Sequence, residues 1–281
     1  MITKIISRSI QVLALLIWLF TSIALHSLTM IFITLSFVIC ILIAKLFKKD
    51  LGKRTITSIF LVLAICNVIF DAATFRAFLL LVLLLSISEV INIVFSSTQK
   101  IPTKILYFSF ACVYLLISTG FLFALSFSEL FDIRLSILFL AIWTFDTAAY
   151  FVGSFFKGPK LCPKISPNKT WSGLMGGCFF TFLLAFLVVL FSYSILKEYV
   201  YGTTHQDNLE LIFGSILAGI TVVAIGLVGQ AGDLLESWFK RKFDVKDSGN
   251  LLPGHGGVLD RMDSFFFAGI VLYFLVIIGL K

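Results

Sequence analysis

Gly173-Leu-Met-Gly-Gly-Cys-Phe-Phe-Thr-Phe-Leu-Leu-Ala-Phe-Leu-Val-Val-Leu-Phe-Ser-Tyr-Ser-Ile-Leu196 runs without a single charged side chain. About 20 mostly apolar residues suffice for a helix to cross a bilayer, and a helix is the only open backbone form that satisfies its own hydrogen bonds there. This stretch therefore reads as a transmembrane helix. The same pattern recurs on both sides of it, with apolar runs at about 9–26, 28–46, 56–72, 77–96, 104–126, 134–156, 210–232 and 264–280. Together they predict an all-α, polytopic transmembrane bundle of about nine spans. The first two runs are nearly continuous, and the polar step at His26-Ser27 divides them. Lys4 and Arg8 before an apolar stretch also resemble a cleaved leader, but no small-residue cleavage site follows and another span begins at once.

The bulk composition agrees with these spans. Of 281 residues, 59% are hydrophobic and 13% charged, against about 25% charged in soluble domains. That leaves too little charge for a water-facing surface. Cys40, Cys66, Cys112, Cys162 and Cys178 show no C-x-x-C spacing and read as small buried hydrophobes. The net charge of +7 resides in short loops, where it reads as a topology signal and as contacts to anionic lipid or nucleotide. Nucleic acid is not expected as a partner.

Orientation follows from the basic residues. With the N-terminus inside, every Lys and Arg except Arg76, Arg134, Lys197 and Lys281 falls on the inner side, as the positive-inside rule requires. The expected topology is N-in, C-out. Residues 1–130 form an N-terminal transmembrane region of about five spans, and 131–281 a C-terminal catalytic region with two long cytoplasmic loops, 157–172 and 233–263. An anchor does not need such loops, so function is expected in them.

The second loop is the more informative. Gly232-Asp233-Leu-Leu-Glu236 leads into Ser237-Trp-Phe-Lys240-Arg241, then Lys246-Asp247-Ser-Gly249, then Leu252-Pro253-Gly-His255-Gly256-Gly257-Val-Leu-Asp260-Arg261-Met-Asp263. Carboxylates at Asp233, Asp247, Asp260 and Asp263 are interleaved with cations at Lys240, Arg241, Lys246 and Arg261. Mg²⁺ takes oxygen ligands and is commonly held by one or two carboxylates plus substrate phosphates, and Lys and Arg neutralise the remaining phosphate charge. Asp260 and Asp263 share a face if they lie on a helix. Gly256-Gly257 lets backbone approach a ligand closely. The cluster describes a site for a nucleoside triphosphate with a metal.

Ser237 through Asp263 resembles the signature of the phosphatidate cytidylyltransferase (CDP-diglyceride synthase) family. Asp146-Thr-Ala-Ala-Tyr150-Phe-Val-Gly153 resembles the family's intramembrane Asp segment, and Ser166-Pro-Asn168-Lys169-Thr170-Trp-Ser172-Gly173 its second cytoplasmic motif. The likeness covers about 146–281; the first 130 residues are readable only as spans. It implies transfer of the cytidylyl group of CTP to phosphatidic acid, giving CDP-diacylglycerol and pyrophosphate, in an integral, multi-pass protein of a bacterial-type inner membrane. It further implies Mg²⁺, with room for a second cation, on Asp233, Asp260 and Asp263. Lys169, Lys240, Arg241 and Arg261 are then phosphate contacts, with Ser166, Asn168, Thr170, Lys246, His255, Gly256 and Gly257 around the substrates. A homodimer follows only by analogy with the family. One departure stands out: the family often has Glu where this chain has Ser172.

Two acidic residues lie within spans. Asp146 is some twelve residues into the sixth, where a carboxylate is costly and usually faces a bundle interior or a water-filled cavity. Glu89, near the cytoplasmic end of the fourth, is within reach of the interface. Two other readings fit a membrane protein of this kind: a CTP-dependent lipid kinase, which needs a base to deprotonate an alcohol, and a transporter using Glu89 and Asp146 as an ion relay. No internal repeat of the transporter type is visible. The products discriminate among the three.

Overall fold

The computed structural model describes residues 71–201, 208–252 and 255–279, together with Ile6 and Ile10. The expected spans 9–26, 28–46 and 56–72 lie almost wholly outside the described residues. Within them the elements are α1 (Ala72–Phe95), α2 (Ile101–Leu125), α3 (Phe131–Phe156), β1 (Lys160–Cys162), β2 (Ser166–Thr170), α4 (Trp171–Tyr201), α5 (Asn208–Lys242) and α6 (Leu259–Gly279). Six helices among the described residues are long and apolar enough to cross a membrane. The chain is a multi-pass membrane protein, and these six helices overlap the six later apolar runs.

Helix starts follow the local chemistry. Asp71, in extended backbone, accepts hydrogen bonds from the Ala73 N–H at 3.1 Å and the Thr74 N–H at 3.2 Å, so it caps α1. Pro102 occupies the first turn of α2, where its missing N–H costs nothing. Between these helices the Lys104 ammonium donates to the Ser97 carbonyl at 2.7 Å, satisfying backbone beyond the end of α1.

Two expectations need correction. The chain is not purely helical, because β1 and β2 pair as an antiparallel two-stranded sheet between α3 and α4, with Lys160 opposite Thr170 and Cys162 opposite Ser166. The expected long loop 157–172 thus contains a short hairpin, with Pro159, Pro163 and Pro167 in and around it. The second correction is larger. The eighth span does not end near Asp233; α5 continues to Lys242. Asp233, Glu236, Ser237 and Lys240 recur at i, i+3, i+4 and i+7, which is one face of a helix. The buried Phe239 continues the apolar side. The run of charges is the amphipathic continuation of the helix and not its end.

α3 packs against α4, α5 and α6, while α1 and α2 pair and lean on α6. Small residues bring these helices together, as is usual where lipid removes the hydrophobic drive between them. Phe145 on α3 is fully buried. A Cβ added at Gly177 on α4 would come within 2.7 Å of its ring, and one at Gly226 on α5 within 2.5 Å, so these two glycines make the slot that holds it. At the α3–α4 crossing, a Cβ at Gly173 would lie 2.6 Å from the Ala149 carbonyl. At the α5–α6 crossing, a Cβ at Gly232 would lie 2.7 Å from the Asp263 carbonyl. The last approach sets Asp233 beside Asp263.

Candidate active site

A cleft of about 740 Å³ opens among α3, the hairpin, α4 and α5. Asp146, Asn168, Lys169, Thr170 and Asp233 all line it, as do Lys157, Lys160 and Gln230. The volume is in the range of small-molecule sites, and both a carboxylate wall and a lysine wall face it. The Lys169 ammonium reaches from β2 to the Asp233 carboxylate at 2.7 Å. Ser237 donates to the other Asp233 oxygen at 3.2 Å. Deeper in the bundle the Gln230 side-chain amide donates to Asp146, fixing the one acidic side chain that sits well inside α3.

Thr170 and Ser172 hold the neck of the hairpin. The Thr170 hydroxyl accepts from the Gly173 N–H at 3.1 Å and is 3.1 Å from the Ser172 hydroxyl oxygen. Ser172 in turn accepts from the Gly158 N–H at 3.2 Å. Ser172 therefore joins the exit of α3 to the start of α4, and a Cβ at Gly158 would lie 2.9 Å from its oxygen. The position where the family often carries Glu is filled by a short side chain in a tight joint. Ser166 opens β2 opposite Cys162 and is not among the cleft-lining residues.

Asp263, in the first turns of α6, is not among the cleft-lining residues and lies behind them, close to Asp233. Its carboxylate accepts from the Ser264 N–H at 2.7 Å and lies within electrostatic reach of both Asp233 and Asp146. Like charges gathered at a cleft repel one another unless a cation intervenes. Among the described residues no three His, Cys, Asp or Glu stand close enough to hold a metal by themselves. Mg²⁺ does not need three, because one or two carboxylates plus substrate phosphates complete its shell. Asp233 and Asp263, as hard anionic oxygens crowded at one place, fit that requirement.

Asp260 is differently placed. Its oxygens accept from the Lys240 ammonium at 2.6 Å, the Ser248 N–H at 2.9 and 3.1 Å, and the Gly257 N–H at 2.8 Å. The carboxylate is engaged inside the protein and anchors the loop between α5 and α6. Lys240, 8% exposed, is shared between Asp260 and the buried Glu236, 2.5 Å away. It is an interior cation between two carboxylates, so it does not reach a phosphate in the cleft. The spacing rule that places Asp260 and Asp263 on one face is satisfied, yet the two carboxylates have different neighbours.

The remaining expected residues are spread around that loop. Arg241 is exposed and donates to the Ile165 carbonyl at 3.4 Å and the Val245 carbonyl at 3.1 Å, tying hairpin to loop. Arg261 donates to the His255 carbonyl at 3.0 Å, and the His255 N–H donates to the Leu252 carbonyl at 2.9 Å. Lys246 is exposed. Gly256 has φ +84, and a Cβ there would lie 2.7 Å from Asp260 Oδ2, so internal geometry already demands glycine. Glu89 does not reach the interface. It is 1% exposed and is engaged with the start of α6. Sequence reasoning did not single out Gln230, Glu236, Ser248, Lys157 or Lys160; only the helical spacing of Glu236 from Asp233 and Lys240 could have marked one of them.

Comparison with known proteins decides the family. A sequence profile described as the cytidylyltransferase family matches residues 3–278. The chain belongs to the cytidylyltransferase family. Among relatives in this family, a protein of Rickettsia typhi named phosphatidate cytidylyltransferase is 36% identical over 227 residues, covering 80% of this chain and 92% of that protein. One of Rickettsia felis with the same name is 34% identical over 232 residues, covering 82% and 94%. One of Brucella suis is 43% identical over 136 residues, covering 48% and 44%. In this member of the cytidylyltransferase family the cleft brings Asp146 of α3 and Asn168, Lys169 and Thr170 of the hairpin together with Asp233.

Proposed function

We propose that this chain transfers the cytidylyl group of CTP to phosphatidic acid, releasing pyrophosphate and leaving CDP-diacylglycerol in the membrane. The observation that carries the reading is the cleft in which Lys169 and Asp233 pair beside Asp263, in a member of the cytidylyltransferase family whose relatives are named for phosphatidate. The lipid phosphate is already anionic at neutral pH and attacks the α-phosphate of CTP without a protein base. The enzyme's task is then to position two anions and neutralise their charge.

Lys157, Lys160 and Lys169 face the cleft and are the side chains we assign to the phosphates. They replace Lys240, whose ammonium is held between Glu236 and Asp260. Asp233 and Asp263 would hold Mg²⁺, and Asp260 braces the loop behind them. Bound there, the metal supplies charge neutralisation at the reacting phosphates. Asn168 and Gln230 offer neutral hydrogen-bonding groups along the same cleft. The basic residues support a cytoplasmic opening, in the inner membrane of a bacterium. Nothing favours the lipid-kinase or transporter readings: Asp146 is paired with Gln230 and Glu89 with the start of α6.

The test is incubation of purified protein with labelled CTP, phosphatidic acid and Mg²⁺. Labelled lipid and equimolar pyrophosphate are expected. A phosphorylated lipid with CDP, or no labelled lipid at all, overturns the reading.

A further inference from the structure

Glu89 lies on α1, far in sequence from the motifs that resemble the family, yet its carboxylate is built into them. One oxygen accepts from the Val258 N–H at 2.8 Å. The other accepts from the Leu259 N–H at 2.9 Å and from the Ser248 hydroxyl at 2.8 Å. Val258 and Leu259 are the entry to α6, whose first N–H groups have no partner within the helix. A carboxylate there answers both the free donors and the positive end of the helix dipole.

The clasp has a second half. Ser248, whose hydroxyl bonds Glu89, gives its N–H to Asp260, and Asp260 also takes the Gly257 N–H. Two carboxylates from different helices therefore hold the same short segment from both sides. Gly257 is where they meet. A Cβ there would overlap the Ser248 hydroxyl and lie 2.5 Å from Glu89 Oε2, so the second glycine of the Gly256-Gly257 pair is explained by Glu89 and not by an approaching ligand. A Cβ at Gly249 would also touch Glu89, at 3.0 Å.

Burying a carboxylate is costly, and among the described residues the groups that hydrogen-bond Glu89 are all neutral donors. An apolar side chain would fill the space between α1 and α6 at lower cost but could not hold the entry of α6. That entry sets the place of Asp263, one turn further along the helix.

We propose that Glu89 is a positioning residue for the transfer reaction: by fastening residues 248 and 257–259, it sets Asp263 against Asp233 and Lys169. This rests on the cytidylyl-transfer reading above. Glu89 touches no substrate; it acts through the backbone that carries Asp263.

The experiment compares wild type, Glu89→Gln and Glu89→Ala, purified in detergent, in two measurements. The first is steady-state kinetics with CTP and phosphatidic acid. The second is amide hydrogen exchange across peptides covering 244–263 and, as an internal control, 171–190. Expected is a graded loss of kcat, about tenfold for Gln and a hundredfold or more for Ala, with KM for CTP changed less than about threefold. Gln keeps one oxygen that can accept two of the three donors, so its intermediate value is the mark of positioning by hydrogen bonds. Exchange in 244–263 should accelerate in the same order while 171–190 stays protected. Wild-type kinetics in Glu89→Ala overturns the proposal, and so does a raised KM for CTP with kcat intact. Failure of both variants to yield folded protein also overturns it, because Glu89 then serves the bundle and not the reaction. If wild type itself makes no CDP-lipid, the functional reading falls, while the exchange data still decide whether Glu89 fastens this segment.

Discussion

The Lys169 ammonium lies 2.7 Å from the Asp233 carboxylate, so the hairpin between α3 and α4 is fastened to α5 at the cleft. In this arrangement Lys169 neutralises Asp233, and under the proposed reaction it would meet phosphate when substrate enters. Lys169→Ala should lower kcat/KM by roughly 100-fold, about 2.7 kcal/mol, with helical content unchanged. Because the two residues are partners, Lys169→Ala combined with Asp233→Asn should cost clearly less than the sum of the single losses. Titrations of CTP and phosphatidate across the three variants check this, and additive losses would separate the pair functionally.

Gly232 fixes the distance between the two helices that carry Asp233 and Asp263. A Cβ there would lie 2.7 Å from the Asp263 carbonyl oxygen and 2.8 Å from the Phe267 Cβ, both unyielding neighbours. Gly232→Ala must separate α5 from α6. Overpacking of this kind costs about 1–3 kcal/mol of stability. The expected loss of activity is greater, more than about tenfold or 1.4 kcal/mol, because the carboxylates part company. Thermal unfolding and turnover measured on the same preparation compare the two, and an activity loss no larger than the stability loss argues against a shared carboxylate site.

The spans were legible because hydrocarbon leaves a blunt signature: Gly173 to Leu196 admits no other reading. The end of α5 was not, because Asp233, Glu236 and Lys240 look like the start of a loop until their helical spacing is weighed against their charge. Asp233, Lys169 and Asp146 stood out in the sequence, and in the structure they line one cleft, with Asp263 close to Asp233 but outside the lining. Lys240 and Asp260 carried the same signal, yet they are bonded to each other. Charge pattern reports that an ion pair is available but not which side chain turns inward. The role of Glu89 was not legible, since its partners are 159 to 170 residues away and no local pattern links them.

Lys240 should matter for folding more than for chemistry. It is the cation between Glu236 at 2.5 Å and Asp260 at 2.6 Å. Lys240→Met keeps most of the volume and leaves two buried carboxylates facing each other without a cation. Breaking a buried pair in this way costs about 3–5 kcal/mol. The expected outcome is a large fall in midpoint temperature, measured by fluorescence-detected size exclusion after heating. A variant as stable as wild type but inactive would return Lys240 to the substrate.

Topology can be read from two positions. If α4, α5 and α6 each cross once, Lys160 and Lys281 are expected on opposite faces. In a cysteine-free background, Lys160→Cys should react with an impermeant maleimide from the cytoplasmic face only and Lys281→Cys from the other. Labelling of both from one face would sink the N-in, C-out assignment.

Asp260 and Asp263 differ by one turn, and the structure assigns them opposite consequences. Asp260 accepts from Lys240, Ser248 and Gly257, so Asp260→Asn removes the charge opposite a buried ammonium and turns an amide N–H₂ toward at least one donor. Loss of stability, again about 3–5 kcal/mol, should accompany any loss of activity. Asp263 has the Ser264 N–H and the field of Asp233 and Asp146, offset in part by the Lys240 ammonium. Asp263→Asn relieves repulsion among three carboxylates and should leave the midpoint temperature unchanged or raised. If Asp263 holds Mg²⁺ with Asp233, the same variant should lose roughly three decades of CDP-lipid formation, about 4 kcal/mol at the transition state. Mg²⁺ alone should also raise the midpoint temperature of wild type, an effect that EDTA reverses and that Asp263→Asn lacks. A folded Asp263→Asn protein retaining more than about a tenth of wild-type turnover, a deficit under about 1.4 kcal/mol, would remove Asp263 from the metal and leave Asp233 to be explained by Lys169 alone.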